Sequence, residues 1–178
     1  MHWMGLLCLP PKVWYNMTMK TFSAGEVLKA QDLNDNFAAV GGKVLQVVRA
    51  TDSTNRTTTS TSFVDAGISV TITPTKSTSA ILLIWTSYAS PTSGSMNSQM
   101  QQISDSSNNA ISAAEGTDVG SDNSATNYDA VTLVGYATPA TTSAVTYKGR
   151  WRMTGSGATA RLQNGSVTGQ MLALEVGA

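Results

Sequence analysis

The alternation from Val145 to Met153 sets the pattern of the chain. Val145, Tyr147, Trp151 and Met153 fall on one parity, and Thr146, Lys148, Arg150 and Arg152 on the other. Successive side chains of a strand point to opposite faces, so this segment predicts a strand with one apolar and one wet face. It follows a turn at Thr138-Pro139-Ala140 and the Ser/Thr-rich link 141–144. Further strands are predicted at Val44–Ala50, Ile68–Thr73, Ala80–Tyr88, Met96–Ser104, Ala130–Tyr136, Ala158–Gln163 and Gln170–Val176. Ile68, Val70 and Ile72 alternate with Ser69, Thr71 and Thr73. Leu172, Leu174 and Val176 alternate with Met171, Ala173 and Glu175. Ile81 to Trp85 is continuously apolar, which predicts a central strand buried on both faces. This series of short strands, with no long helix among them, predicts an all-β sandwich of jelly-roll type.

The first part of the chain is different. Residues 1–21 hold Trp3, Trp14, Tyr15, four of the eight methionines and the pair Pro10-Pro11. This segment is too apolar for a solvated tail and too irregular for a helix or strand. It reads as an anchoring arm, or as an upstream extension with Met17 or Met19 as the start. Residues 22–42 read as a linker and one short helix over Lys29–Val40. Leu33, Phe37 and Val40 form its apolar stripe, and Gly41-Gly42 stops it. The β domain then spans 43–178. Its longest predicted loops are 51–62 and 104–127, with tight turns at Gly155-Ser156-Gly157 and Asn164-Gly165.

Composition narrows the function. Only 12% of the residues are charged and the formal net charge is zero. Ser and Thr supply about a quarter of the chain, well above ordinary usage. Arg49, Arg56, Arg150, Arg152 and Arg161 form no basic stripe in sequence, which argues against a nucleic-acid partner. One cysteine, Cys8, allows no internal disulfide. The apolar run Leu6-Leu7-Cys8-Leu9 ends at Pro10 and is too short to span or insert in a bilayer.

Catalytic chemistry finds little material. His2 is the single histidine and lies in the arm, so a Ser-His-Asp triad is not expected. No Cys/His cluster suits zinc, and no phosphate loop is present. Glu115, Asp118, Asp122 and Asp129 are the residues a glycosidase pair or a calcium site would draw on. Their Asn/Ser/Gly-rich setting reads instead as ordinary solvated loop. No metal, cofactor or catalytic residue is therefore assigned, and the chain is read as non-enzymatic. Trp85 and Trp151 read as core. Tyr128 and Tyr136 read as core or interface, with the edge of a glycan-binding groove as the functional alternative.

Two sets of motifs carry a resemblance. Phe22 to Asn34 (FSAGEVLKAQDLN) resembles the N-terminal motif of tail-fibre and appendage proteins of tailed bacteriophages. Thr58–Ile72 (TTSTSFVDAGISVTI), Pro74–Leu82, Pro139–Tyr147 and Met171–Val176 resemble a β domain of phages that infect aquatic bacteria. The resemblance implies a virion structural protein with a jelly-roll head, assembled in the bacterial cytoplasm and forming a homotrimer. Trp3, Leu6, Leu7, Trp14, Tyr15, Leu33 and Phe37 would then dock it to a tail, neck or major capsid protein. Arg56, Asp118, Asp122 and Tyr128 are the outer-loop residues expected to face the host surface, including its glycans. No shaft-like sequence precedes the β region, so a short appendage, or a capsid decoration protein, is expected rather than a full-length fibre. A glycan-degrading virion enzyme is the remote alternative.

Overall fold

A computed structural model describes residues 20–27, 29–34, 44–93, 97–115, 119–120 and 128–177. The chain divides into two units, Met1–Gly42 and Lys43–Ala178. In the first unit, residues 30–34 are helical, and the Leu33 amide donates to the Lys29 carbonyl. A turn precedes the helix. The Glu26 amide donates to the Ser23 carbonyl, and the Glu26 carboxylate accepts from the Ser23 amide. Lys20 bridges Glu26 (2.6 Å) and Asp32 (2.5 Å). Residues 35–40, which complete the expected helix, lie outside the described residues. So do the expected arm residues Trp3, Leu6, Leu7, Trp14 and Tyr15, and the helix residue Phe37.

The second unit is all β. Among the described residues its strands are β1 (Val44–Asp52), β2 (Asn55–Thr58), β3 (Val64–Ile72), β4 (Ala80–Ala89), β5 (Thr92–Ser93) and β6 (Ser98–Asp105). They continue as β7 (Ala110–Glu115), β8 (Val119–Gly120), β9 (Asp129–Ala137), β10 (Val145–Met153), β11 (Ala158–Gln163) and β12 (Gly169–Val176). All pairings are antiparallel. One sheet has seven strands. It runs β1-β12-β4-β11-β2, with β9 on the other side of β4 and β5 on β11. The second sheet has five, in the order β3-β10-β6-β7, with β8 on β6.

The two sheets pack face to face as a sandwich. From the five-stranded sheet, Ile68, Val70, Ile72, Ile103, Tyr147, Trp151 and Met153 enter the core. They meet Ile81, Leu83, Trp85, Leu133, Leu162 and Met171 of the seven-stranded sheet. β10 follows its predicted alternation, with Tyr147, Gly149, Trp151 and Met153 buried. Its outer face is held by polar contacts. Arg150 donates to the Phe63 carbonyl, and the Arg152 guanidinium lies 5.1 Å from the Phe63 ring centre.

The structure corrects the sequence reading in three places. First, β4 is not buried on both faces: Ile81, Leu83 and Trp85 are inside, whereas Leu82 and Ile84 are half-exposed on the outer side. Second, the loop expected at 51–62 carries the end of β1 and all of β2. Third, the loop expected at 104–127 carries β7 and β8. Ser/Thr/Asn-rich sequence masked these short edge strands, which draw their stability from pairing with β11 and β6. In β12, whose two parities the sequence set apart without orienting, Met171, Ala173 and Glu175 face the core, while Leu172, Leu174 and Val176 face outward.

Glu175 is fully buried and belongs to a local network. Its Oε1 accepts from the Thr75 amide (2.7 Å), the Thr75 hydroxyl (2.8 Å) and the Lys76 amide (3.3 Å). Its Oε2 accepts from Gln46 Nε2 (2.6 Å). Burial alone would push the carboxyl up. The hydrogen bonds from Gln46 and Thr75 outweigh that and hold it at about 2. The buried Ser79 hydroxyl adds support without meeting strict hydrogen-bond geometry. One carboxylate thus ties β1, β12 and the link between β3 and β4.

Candidate functional site

A cleft of about 510 Å³ opens where the ends of the two sheets meet. Its walls are the β6–β7 hairpin and the β9–β10 connection. The two sheets approach closely here because Gly135 of β9 has no side chain. A methyl at that position would stand 3.0 Å from Ala114 Cβ and 3.3 Å from Ile111 Cγ2, both on β7.

The floor and walls are mixed in character. Tyr147 is buried, and burial, reinforced by the negative charge of Asp105, raises its hydroxyl above the usual tyrosine range. The hydroxyl therefore stays protonated at neutral pH. Asp105 faces Tyr147 across the β6–β10 pairing. Its Oδ1 accepts from the amides of Ser107 (2.8 Å) and Asn109 (2.9 Å), and its Oδ2 from Asn109 Nδ2 (2.9 Å). The Asn109 side chain is the main reason its carboxyl is held below the usual range. The carboxylate is thus charged and fixed in orientation, with lone pairs left to accept further donors. Ser106, Ser112, Thr138 and Thr146 add hydroxyls to the lining, and Tyr136 stands on the rim with 60% of its surface exposed.

The cleft walls also concentrate backbone strain. The described residues other than glycine with positive φ are Asn108 (71°), Ala113 (60°) and Ala140 (52°). Asn108 lies in the β6–β7 turn, Ala113 in β7, and Ala140 in the β9–β10 connection. Asparagine tolerates this region, whereas alanine pays roughly 1–2 kcal/mol for it. Such outliers gather where a surface must be held in a set shape.

A second surface is the outer side of the seven-stranded sheet. Registers across β1, β12, β4 and β9 align Val47, Leu174, Leu82 and Tyr136 in one row. Arg49, Leu172, Ile84 and Val134 form the next. Val47, Val134 and Tyr136 are more than half exposed. Neither row contains an acidic residue, and the single cation, Arg49, donates to Gln170.

The residues expected at the host-facing loops are not brought together. Arg56 sits on β2, paired with Asp52, and also donates to the Thr54 carbonyl (3.2 Å). Tyr128 is not core; it is exposed and stacks on Tyr88, ring centres 5.7 Å apart. Asp118 and Asp122 lie outside the described residues. Of the other loop acids, Glu115 is on β7 and accepts from Gln102, and Asp129 opens β9. Among the described residues, no group of three or more His, Cys, Asp or Glu could hold a metal ion. None of their helices is long and apolar enough to cross a membrane. Sequence reasoning missed Asp105, Ser106 and Ser112, and the one signal for them is the Asp-x-x-Asn-Asn spacing of a side-chain-supported turn.

Set against known proteins, the chain matches no family model and no curated protein significantly.

Proposed function

We propose that this chain is a non-enzymatic structural protein of a phage virion. In this reading it is a trimeric tail-fibre or appendage protein, held to the particle by its N-terminal arm and helix and turning the β domain outward. The resemblance of Phe22–Asn34 and of the β motifs supports it. So does the strand order. With β2, β5, β8 and β11 set aside, the remaining eight strands, renumbered in chain order, follow 1-8-3-6 in one sheet and 2-7-4-5 in the other, an order compatible with a jelly roll.

The single observation that carries the assembly part is the outer apolar face across β1, β12, β4 and β9. A free-standing domain has no need to align Val47, Leu174, Leu82 and Tyr136 in the open. The occupant of that face is a second copy of the chain. Its rows carry one charge, Arg49, already engaged by Gln170, so another copy arranged about a three-fold axis can cover the face with little charge to desolvate.

The mass of the full chain in solution tests this. Three copies per particle are expected for the native chain. Leu174→Lys with Val47→Glu should give one copy with unchanged β-sheet circular dichroism. A native chain that stays single at high concentration would overturn the assembly reading. Copy number in purified virions then separates the locations. Few copies fit an appendage; a number comparable to the major capsid protein fits a decoration protein.

A further inference from the structure

We infer that the free edge of β1 receives a strand from another copy of the chain, and that residues 12–19 are the strand donated. This rests on the multi-copy reading above. It adds a second contact to that assembly, made by backbone hydrogen bonds rather than by the outer apolar face.

Among the described residues, the other sheet edges are blunted. The β3 ladder with β10 breaks between Lys148 and Arg150, where Gly67 stands at a φ of 76°. The β7 ladder with β6 shifts between Gln102 and Ser104, and Ala113 kinks the strand. β9 is faced by β7, whose Ala114 and Ile111 close on Gly135. β2 has only four residues. β1 is different. It has nine residues, none of them proline, lysine or glycine, and its register with β12 runs unbroken from Gln46 to Asp52. Its one strand neighbour is β12. Long regular edges of this kind pair with another chain unless they are blunted or covered. Val48 and Ala50 point inward from β1 and pack on the core, yet both are only half-buried. A strand added at this edge would complete their cover.

The sequence supplies the donor. Residues 1–21 have no period as a whole, but those that follow Pro10-Pro11 do. Val13, Tyr15, Met17 and Met19 fall on one parity, and Lys12, Trp14, Asn16 and Thr18 on the other. Val, Tyr, Trp and Thr favour strands, and the segment is close to β1 in length. Laid along β1, its apolar parity continues the inward row of Val48 and Ala50, and Trp14 joins the outward row of Val47. Prolines have no amide to give to a ladder, so Pro10-Pro11 ends the pairing and leaves residues 1–9 for the particle. Residues 20–43 join the donor to β1 and span at most about 70 Å, enough to reach a neighbour. Within one copy β1 has a single strand partner, so the second comes from a different copy. Each copy gives one strand and takes one, a head-to-tail contact that closes in a ring of three.

Two measurements on the full chain test this. The first is hydrogen exchange. In the native chain the β1 amides turned away from β12 should exchange slowly. Tyr15→Asp with Met17→Asp should speed them by at least about tenfold, while the amides bonded to β12 keep their rates. The second is disulfide trapping between copies, with Cys8→Ser in every chain. One batch carries Val47→Cys, an exposed position that keeps the fold. Others carry Trp14→Cys, Asn16→Cys or Thr18→Cys, on the parity that would lie beside it. Mixed and oxidised, the Val47→Cys chain should join at least one of these three, and should not join Met17→Cys, whose side chain points inward. The inference is overturned if the outward β1 amides exchange freely in the native chain, if no disulfide joins the batches, or if Met17→Cys is captured as well as the others. It is also overturned if the disulfide closes only within single chains that carry both cysteines. Three copies with freely exchanging β1 amides would remove strand donation and leave the outer-face contact standing.

Discussion

Gly149 and Trp85 face each other across the sandwich with no room between them. A methyl group on Gly149 would lie 2.8 Å from Trp85 Cζ2 and 3.0 Å from Ile68 Cγ2. The large indole is accommodated because β10 carries no side chain opposite it. Gly149→Ala should therefore destabilise the domain by about 1–3 kcal/mol, as overpacking does. Chemical denaturation reads this directly. A midpoint equal to that of the native chain would mean that the sheets separate freely at this point.

Glu175 makes stability depend on acidity. Its folded pKa, about 2, lies below the ordinary 4.5. Its contribution is therefore fully present above about pH 4.5 and lost as pH falls toward 2. Asp105 adds a smaller effect of the same sign. Melting temperature should fall across this window. Glu175→Gln should lower stability at pH 7 on the order of 1–3 kcal/mol and flatten the acid slope. A slope that persists in Glu175→Gln would place the acid sensitivity elsewhere.

Ser87 and Gln101 form a polar pair inside the core, with the hydroxyl 2.9 Å from Gln101 Oε1. Removing one partner strands the other in an apolar setting. Ser87→Ala alone should cost about 1–2 kcal/mol, whereas Ser87→Ala with Gln101→Leu should recover most of it. A double-mutant cycle checks this, and additive losses would contradict the pairing.

The backbone strain at Ala140 can be released. Ala140→Gly should raise stability by up to about 1 kcal/mol, because glycine adopts positive φ without a steric cost. Thermal melts of the variant report this. A loss of stability would show that Ala140 carries no strain.

Gly67 gives a contrasting case. Its φ is +76°, and a methyl there would stand 2.3 Å from Arg56 Nε. Gly67→Ala is expected to destabilise the domain and to displace Arg56 from Asp52. Arg56→Ala should cost on the order of 1 kcal/mol, since Asp52 and Asn164 remain hydrogen-bonded. The role of Arg56 is then to tie β1 and β2.

Strand identity was legible wherever alternation was strong. β10 and β11 have the predicted bounds, and β1, β4, β9 and β12 differ by at most two residues at either end. Orientation was harder to read. In β12 both parities are apolar but for Gln170 and Glu175, and the buried parity contains that charge because Gln46 of β1 and Thr75 of the β3–β4 link satisfy it. In β6 the inward positions include Gln99 and Gln101, while Met100 is half-exposed. Hydropathy could not anticipate either case, since the compensating partners are distant in sequence. The cleft was equally hidden. Tyr136 was visible as a strand tyrosine, but Asp105 is set beside Tyr147 by the β6–β10 pairing, which no local pattern encodes.

The place of β12 has a consequence for how the protein is made. The strand lies between β1 and β4, in the middle of its sheet. Until residues 169–176 leave the ribosome, β1 has no neighbour in that sheet and one edge of β4 stays open. The domain therefore cannot finish folding while these residues are still being synthesised. Release of β12 then triggers closure of the whole sandwich, and only after that step is the outer apolar face complete. A chain that stops short of residue 169 therefore leaves β1 without a strand partner and the outer face of this sheet unformed.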